Sequence, residues 1–253
     1  MTSLVYYDVS DQVATITLDS PENRNALSRT LVAELTGSLT AAGQDRGVRA
    51  VVLTHAGRVF CSGADLSEAG GGSMTDATAA ILDLLTTVVG LDKPVIARIT
   101  GHVRAGGMGI VGACDLAVAT ETASFAFTEV RIGLTPAIIS LTTLDLMPPR
   151  GAARYYLTGE TFDATTAVAL GLITTSASSG NVDDVVAGLT EQIRETSPQG
   201  SAETKRLLAG ARRQRLATES AALAALSTRL FESDEAQEGI RAFLERRRPA
   251  WRQ

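Results

Sequence analysis

The sequence predicts an α/β fold, in which helices pack in layers against strands. Short runs rich in β-branched residues alternate with segments of helical periodicity through the first half of the chain. The runs at 51–53 and 95–99 are apolar without alternation, as expected for strands that are covered on both faces. With 253 residues, 45% of them apolar, the chain can form a sizeable core.

The N-terminal segment predicts a β-hairpin followed by a helix. Residues 4–9 and 13–18 are rich in Val, Ile, Thr and Tyr and are separated by Ser-Asp-Gln. Ser28 can cap a helix that ends between Gly43 and Gly47. The apolar face of this helix includes Leu31, Val32, Leu35 and Leu39.

The next segment predicts a strand, a glycine-rich loop, a helix and another strand. The strand at 49–54 leads to Phe60-Cys-Ser-Gly-Ala-Asp-Leu, and three consecutive glycines within 69–73 predict a mobile loop. A helix at 75–91 precedes the strand at 95–99. This strand enters a loop with Gly101, Gly106 and Gly107, which opens a helix carrying Met108, Ile110, Val111 and Ala113.

The segment after Glu129 predicts short helices and one last strand. An apolar stretch at 137–147 is stopped by Pro148 and Pro149, and a helix follows at 150–157. A further helix at 165–170, with Gly171 as its C-cap, leads into a predicted strand at 172–175.

From Val182 onward the pattern is helical, with a break at 197–200. The last third of the chain has little strand character. We therefore expect a β-rich core at 1–200 and a separate helical region at 201–253, with the boundary near Gly200.

The charge and the cysteines exclude several classes of protein. A net charge of −5, spread along the chain, gives no reason to expect nucleic-acid or membrane partners. The start lacks a basic or apolar leader and no run is long enough to span a membrane, so we expect a cytoplasmic protein. Cys61 and Cys114 lie among apolar or small residues, which predicts two buried thiols. Two histidines and two cysteines do not form a ligand cluster at zinc spacing, so no metal site is predicted.

The glycine loop after residue 99 is the first candidate for a functional site. A loop that opens a helix leaves unpaired backbone N–H groups at the positive end of the helix dipole. Such a site can bind a phosphate or an oxygen that develops negative charge.

Six segments together carry a resemblance to a known family. The sequence is similar to the crotonase superfamily, the enoyl-CoA hydratase/isomerase family, over nearly its whole length. The segments are Asn25-Ala-Leu, Phe60-Cys-Ser-Gly-Ala-Asp-Leu, 101–115, Phe127-Thr-Glu, Leu157-Thr-Gly-Glu-Thr-Phe-Asp-Ala and Ala242-Phe-Leu-Glu-Arg-Arg. The resemblance implies a spiral of ββα units with a C-terminal helical trimerisation region, in a homotrimer or a dimer of trimers. It also implies an acyl-CoA thioester substrate and no separate cofactor, because coenzyme A is part of the substrate.

The resemblance also suggests three catalytic positions. By their place in the motifs, the backbone N–H groups of Ala64 and Gly106 would form an oxyanion hole for the thioester oxygen. Glu129 would be the general acid–base group. Its position after the buried-looking run 124–127 would raise its pKa toward neutrality. The alternative interpretation of Glu129 is a salt bridge to Arg131 or Arg104.

One departure from the family pattern bears on the reaction. Hydratases of the family carry two glutamates, and the first position is Gly109 here. Isomerases that convert a 3-enoyl-CoA to a 2-enoyl-CoA use a single carboxylate at the Glu129 position, so the mechanism favours an isomerase. The segment 101–119 looks more like bacterial hydratases, and we place hydration of a 2-enoyl-CoA to a 3-hydroxyacyl-CoA slightly ahead.

Two further hypotheses belong to other functional classes. Gly107, Gly109 and Gly112 fit a G-x-G-x-x-G pattern, with Glu129 downstream as a ribose-binding acid, which would indicate NAD(P) binding. Against this, residues 101–106 intervene between the strand and the pattern. A non-catalytic acyl-CoA binder would explain Gly109 but would not need Glu129.

The remaining candidates are binding residues. His102, Arg104 and Ala137 lie where departures from the family pattern could shape an acyl pocket. For His102 and Arg104 we favour the alternative, that both serve packing and surface pairing. By resemblance, the CoA-binding candidates are Arg24, Ala26, Asp65, Leu66, Phe243 and Arg246. Phe243 and Arg246 resemble residues that reach the CoA of a neighbouring subunit.

Overall fold

Ten strands in the described residues form two sheets. The computed structural model describes residues 3–70 and 74–252. The six-stranded sheet has the order β1-β2-β3-β5-β7-β10 and the four-stranded sheet the order β4-β6-β8-β9. The first sheet contains β1 (Val5–Ser10), β2 (Val13–Leu18), β3 (Ala50–His55), β5 (Val95–Ile99), β7 (Leu116–Thr120) and β10 (Thr175–Ala177). The second contains β4 (Val59–Cys61), β6 (His102–Arg104), β8 (Ser124–Ala126) and β9 (Phe162–Asp163).

The pairing within the larger sheet matches the apolar pattern of the sequence. Strands β1 and β2 form the predicted antiparallel hairpin, with Val5 opposite Leu18 and Ser10 opposite Val13. From β2 onward every pairing is parallel. All six residues of β3 are buried: Val51 and Leu53 belong to the main hydrophobic cluster, and Val52 packs with Val182 and Val186 in a second cluster.

Successive strands alternate between the two sheets. Strand β3 enters the first sheet and β4 the second, and the chain then passes through helix α2 (Met74–Gly90). Strands β5 and β6 repeat this step before helix α3 (Gly106–Ala113), and β7 and β8 repeat it again. This repetition is the spiral of ββα units that the resemblance implies, and the α/β prediction is confirmed.

The helices begin and end close to their predicted limits. Helix α1 (Arg29–Gln44) is capped by Ser28, whose Oγ accepts a hydrogen bond from the backbone N–H of Leu31. The helices that follow β8 are α4 (Ala137–Thr143), α5 (Pro149–Thr158), α6 (Ala164–Ala169), α7 (Val182–Arg194), α8 (Pro198–Leu208), α9 (Gly210–Phe231) and α10 (Asp234–Leu244).

Three local predictions need correction. The predicted strand at 172–175 is displaced, because the backbone N–H groups of Leu172 and Ile173 bond back to Ala167 and the strand begins only at Thr175. The glycine loop contains strand β6, which the sequence did not predict. Pro149 begins α5 instead of merely ending the previous segment, since proline fits the first position of a helix.

The C-terminal helices pack on the same core as the sheets. Residue Gly200 lies inside α8, and Ala209 and Leu216 belong to the main hydrophobic cluster. Buried Lys205 of α8 forms an ion pair with Asp115, at 2.7 Å. The proposed division at residue 200 stays a prediction, and in this structure the residue falls within a helix.

Some further expectations concern side chains and loops. Cys61 and Cys114 are both buried free thiols, as predicted. Of the predicted mobile loop at 69–73, residues 71–73 lie outside the described part of the chain. Within the described ranges, 3–70 and 74–252, no helix is long and apolar enough to cross a membrane.

Candidate active site

A cavity of about 630 Å³ lies where the two sheets meet the C-terminal helices. Its wall combines the loop after β4, the N-terminus of α3 and the turn that begins at Glu129. Helices α2, α4, α9 and α10 also contribute to the wall. The six segments of the family resemblance are distributed around this single space or support its walls.

Ala64 and Gly106 lie close together in the cavity wall. A Cβ atom at Gly106 would lie 3.7 Å from the Ala64 nitrogen and 2.8 Å from Leu27 Cδ1, so any side chain at this position would displace the end of Leu27. In the described part of the chain, neither amide nitrogen donates a hydrogen bond to the protein. Gly106 is the first residue of α3, so its N–H also lies at the positive end of the helix dipole.

The loop at 20–27 holds the first amide in place. The side chain of buried Asn25 accepts a hydrogen bond from Ser20 N and donates to the carbonyl oxygens of Ala56 and Val59. Leu27 then pairs with the Ala64 segment, donating from its N–H to Gly63 O at 2.8 Å. A buried amide side chain therefore ties the segment before α1 to the end of the second sheet.

The other glycines of α3 serve close packing. A Cβ atom at Gly107 would lie 2.8 Å from Cys61 Cβ, and one at Gly112 would lie 2.7 Å from Thr142 O. Neither residue lines the cavity. These glycines face protein atoms, so this geometry does not support the NAD(P) hypothesis, which needs the same backbone to face a pyrophosphate.

Glu129 contributes a buried carboxylate oxygen to the cavity. The residue is partly buried as a whole, but its Oε2 is fully buried and has no hydrogen-bond partner among the described residues. Burial raises the pKa of the Glu129 carboxyl to about 7, opposed by a hydrogen bond from its own backbone N–H. The ion pairs found in the described residues include neither Glu129–Arg131 nor Glu129–Arg104.

Aromatic packing and α10 fix the turn that carries Glu129. The Phe127 ring lies 4.3 Å from the Tyr156 ring and 6.3 Å from the Phe162 ring, between centroids. On the other side, a Cβ atom at Gly239 of α10 would lie 2.4 Å from Ile132 O. The turn is therefore held between an aromatic cluster and the C-terminal helix.

Ile139 fills the space beside Gly109. A Cβ atom at Gly109 would lie 2.6 Å from Ile139 Cγ2 and 3.0 Å from Ile139 Cβ. Ile139 itself lines the cavity and is buried. A side chain at position 109 has no room in this packing, so the wall where the family places its first glutamate is apolar here.

The structure separates the three acyl-pocket candidates. Ala137 lines the cavity. Arg104 also lines it, but its guanidinium donates to Ser124 O, Ser124 Oγ and Val103 O, and burial lowers its pKa. His102 is exposed and outside the cavity wall, with Nδ1 2.9 Å from Ser124 Oγ. The two-residue period of β6 puts His102 and Arg104 on the same side of the strand, where both side chains meet Ser124.

Five of the six CoA-binding candidates line the cavity, namely Arg24, Ala26, Asp65, Leu66 and Phe243. Asp65 accepts hydrogen bonds from Asn23 Nδ2 and from Ser67. Phe243 reaches the cavity of its own chain, while Arg246 lies outside the wall. Arg247, to which the sequence analysis assigns no role, lines the cavity and pairs with Glu238.

Several cavity residues could not be recognised in the sequence. Leu134, Ile138, Leu230 and Phe231 form much of the apolar lining, together with Ile139. Their apolar spacing indicates helices and a core but does not show which residues border a space. For Ile139, the only indication in the sequence was glycine at position 109, which leaves space for a neighbouring side chain.

Comparison with known proteins assigns the family. The sequence model described as enoyl-CoA hydratase/isomerase matches residues 8–253. The chain belongs to the enoyl-CoA hydratase/isomerase family. The crotonase resemblance is thereby confirmed, and the chain is an enzyme of that family.

Relatives of this family member are similar over their full lengths. A crystal structure from Mycobacterium avium paratuberculosis K-10, provisionally named an enoyl-CoA hydratase, is 49% identical, with a TM-score of 0.93 and coverage of 99% of this chain and 100% of that chain. An enoyl-CoA hydratase from Mycobacterium avium is 48% identical, with a TM-score of 0.92 and coverage of 99% and 100%. A protein of Thermus thermophilus, provisionally named an enoyl-CoA hydratase, is 35% identical over 94% of this chain and 96% of its own length.

Proposed function

We propose that this family member transfers a proton on an enoyl-CoA thioester, with Glu129 as its acid–base group. The observation that carries the proposal is the buried, unpartnered Glu129 Oε2 in a cavity that also contains two free amides, those of Ala64 and Gly106. A carboxyl group with a pKa of about 7 can both accept and return a proton near neutral pH.

The reaction that this geometry supports best is conversion of a 3-enoyl-CoA to a 2-enoyl-CoA. The Glu129 carboxylate removes a proton from C2, and the electrons form a dienolate whose charge rests on the thioester oxygen. The amides of Ala64 and Gly106 stabilise that charge, and removal of one such donor typically costs about 10²–10³ in rate. Protonated Glu129 then delivers the proton to C4, which completes a 1,3-shift without net gain or loss of atoms.

The contact between Gly109 and Ile139 favours isomerisation over hydration. Hydration needs a water molecule that is oriented for attack on C3, a task for which a second carboxylate is suited. Ile139 occupies the space beside Gly109 with apolar atoms, so that wall offers no group to hold the water. The sequence alone places hydration slightly ahead; this packing supports isomerisation, which we therefore propose first.

Hydration of a 2-enoyl-CoA to a 3-hydroxyacyl-CoA is the second candidate. The printed names of the similar proteins favour it, since all three described above carry the words enoyl-CoA hydratase. In that case Glu129 would both activate the water and return a proton to C2.

We further propose that the CoA moiety lies along Arg24, Ala26, Asp65, Leu66 and Phe243. Their shared position along the cavity wall supports this assignment. Arg246 lies away from this wall and would reach CoA only in a neighbouring subunit. We retain the homotrimer, or dimer of trimers, as a proposal, and the exposed Leu207 and Leu208 at the end of α8 are suitable for burial between subunits.

The test follows the ultraviolet absorbance of the conjugated enoyl thioester with each substrate class. Rising absorbance with a 3-enoyl-CoA, absent in Glu129→Gln, is the expected result. Falling absorbance with a 2-enoyl-CoA, without conversion of the 3-enoyl substrate, would favour hydration instead. Tight binding of both without turnover would support a non-catalytic acyl-CoA binder and contradict the proposal.

A further inference from the structure

Ala105 has a backbone conformation that non-glycine residues rarely adopt. Its φ is 46° and its ψ is −119°, and it immediately precedes Gly106, the first residue of α3. With a Cβ atom present, this region of φ and ψ is strained. Strain of this kind persists only where the surrounding structure holds it.

Hydrogen bonds on both sides hold Ala105 in this conformation. Its N–H donates to Ala126 O at 3.1 Å, which ties it to the second sheet. Its carbonyl oxygen accepts a hydrogen bond from Met108 N at 2.8 Å, which ties it to the first turn of α3.

The methyl group of Ala105 lies against Gly63, the residue that immediately precedes Ala64. A Cβ atom at Gly63 would lie 2.7 Å from the Ala105 methyl carbon and 3.3 Å from Gly106 N. Gly63 has a φ of 98° and so needs glycine for its backbone as well. The loop that carries the Ala64 amide and the loop that carries the Gly106 amide therefore meet where the Ala105 methyl group lies against Gly63.

We propose that Ala105 is a positioning residue that sets the separation between the Ala64 and Gly106 amides. The inference rests on the proposed function, because it concerns the oxyanion hole of that reaction. The methyl group acts as a spacer against Gly63, and the strained backbone directs the Gly106 N–H toward the cavity. Glycine at this position would relax the backbone and remove the spacer, so stability and catalysis would change in opposite directions.

Opposite changes in stability and catalysis distinguish a positioning role for Ala105 from a role in packing alone. A methyl group that only fills space would, when removed, lower stability and leave the hydrogen bonding of the thioester unchanged. Ala123 provides the control, because it too is an alanine next to a strand of the second sheet, although it is buried whereas Ala105 is half-buried. Unlike Ala105, it has ordinary backbone geometry and lies outside the cavity wall.

The experiment compares Ala105→Gly with Ala123→Gly. Kinetics give kcat and KM, and a melting curve gives the midpoint temperature. The absorbance shift of a bound 2,4-dienoyl-CoA, measured with Glu129→Gln as the common background, reports hydrogen bonding to the thioester carbonyl without turnover. The assay kinetics use the corresponding variants with Glu129 intact.

For Ala105→Gly we expect kcat to fall about tenfold with KM unchanged, because misaligned donors stabilise the transition state less. We also expect a smaller red shift of the bound dienoyl thioester and a melting temperature that is a few degrees higher. Ala123→Gly should lower the melting temperature and preserve both kcat and the red shift.

A full red shift and unchanged kcat in Ala105→Gly would overturn the inference while the proposed function stands. A lower melting temperature in both variants, with equal losses of kcat, would overturn it as well by indicating packing alone. Absence of a red shift in the parent Glu129→Gln protein would instead overturn the oxyanion-hole assignment itself, and the inference with it.

Discussion

Ile139 of α4 occupies the space into which a side chain at Gly109 of α3 would project. A Cβ atom at 109 would lie 2.6 Å from Ile139 Cγ2, well inside van der Waals contact. The two positions are therefore coupled, since a larger residue at one requires a smaller residue at the other. With glycine at position 109, Glu129 is the carboxylate on which the proposed reaction depends.

We predict that Gly109→Ala destabilises the protein unless Ile139 is shortened. Overpacking of a well-packed core typically costs about 1–3 kcal/mol. In a double-mutant cycle with Ile139→Ala, measured by urea unfolding, the combined loss should be smaller than the sum of the single losses. Gly37→Ala is the matched control: position 37 has open space around it in α1, so alanine there should stabilise by about 0.5–1 kcal/mol. Additive losses at 109 and 139 would contradict the coupling.

The pH dependence of the proposed isomerisation should report the carboxyl group of Glu129. Burial raises its pKa to about 7, so the carboxylate that removes the C2 proton is depleted below that pH. We expect kcat/KM for a 3-enoyl-CoA to fall about tenfold per pH unit below pH 7 and to level off above it. A profile that stays flat from pH 5 to pH 8 would show that another group accepts the proton.

The same pKa shift predicts that Glu129 lowers stability at alkaline pH. The folded-state pKa of about 7 exceeds the usual value of 4.5, so the folded protein binds the proton more tightly. The contribution of Glu129 to the free energy of unfolding is fully present below pH 4.5 and is lost as the pH rises through 7. Glu129→Gln should therefore be more stable than wild type by about 3 kcal/mol at pH 8, with little difference at pH 4. An equal difference in stability between Glu129→Gln and wild type at pH 4 and pH 8 would exclude this explanation.

His55 should make the protein sensitive to mild acid. Its Nε2 accepts a hydrogen bond from Thr100 N at 3.1 Å, and burial lowers its pKa to about 4. The unfolded histidine has a pKa near 6.5, so the contribution of His55 to the free energy of unfolding is fully present above that pH. This contribution, about 3 kcal/mol, is lost as the pH falls toward 4.

The measurement is the free energy of unfolding between pH 4 and pH 7, for wild type, His55→Asn and His102→Asn. The slope between pH 4 and 6.5 should become shallower in His55→Asn alone. His102 is exposed, so its replacement should leave most of the slope in place. An unchanged slope in His55→Asn would assign the acid sensitivity to other groups.

Local patterns in the sequence were sufficient for most of the fold. The hairpin, the Ser28 cap and the buried strand β3 follow from residue preferences that act over a few positions. The short strands of the second sheet were harder to predict, because three-residue strands such as β6 are stabilised mainly by pairing with distant strands. The displaced start of β10 has a similar cause, since Leu172 and Ile173 bond to Ala167 instead of the sheet.

The candidate site was recognisable where the family motifs are local. Ala64, Gly106 and Glu129 lie in short motifs, and the structure brings all three to one cavity. The partner of Gly109 could not be inferred, because Ile139 lies 30 residues later and its proximity depends on how α3 packs against α4. The exposure of His102 depends in the same way on strand β6, which the sequence did not reveal.

The most direct test of the single-carboxylate mechanism uses a 3-enoyl-CoA in D₂O, with mass spectrometry of the 2-enoyl-CoA product. Glu160→Gln is the control, because Glu160 pairs with Arg154 outside the cavity wall. Wild type and the control should both form product in which part of the C4 hydrogen derives from C2, since buried Glu129 carries it between the two carbons. Glu129→Gln should form product at least 10²-fold more slowly, in the range of about 10²–10⁴ for loss of an acid–base group. Conversion by Glu129→Gln at the wild-type rate would contradict the mechanism.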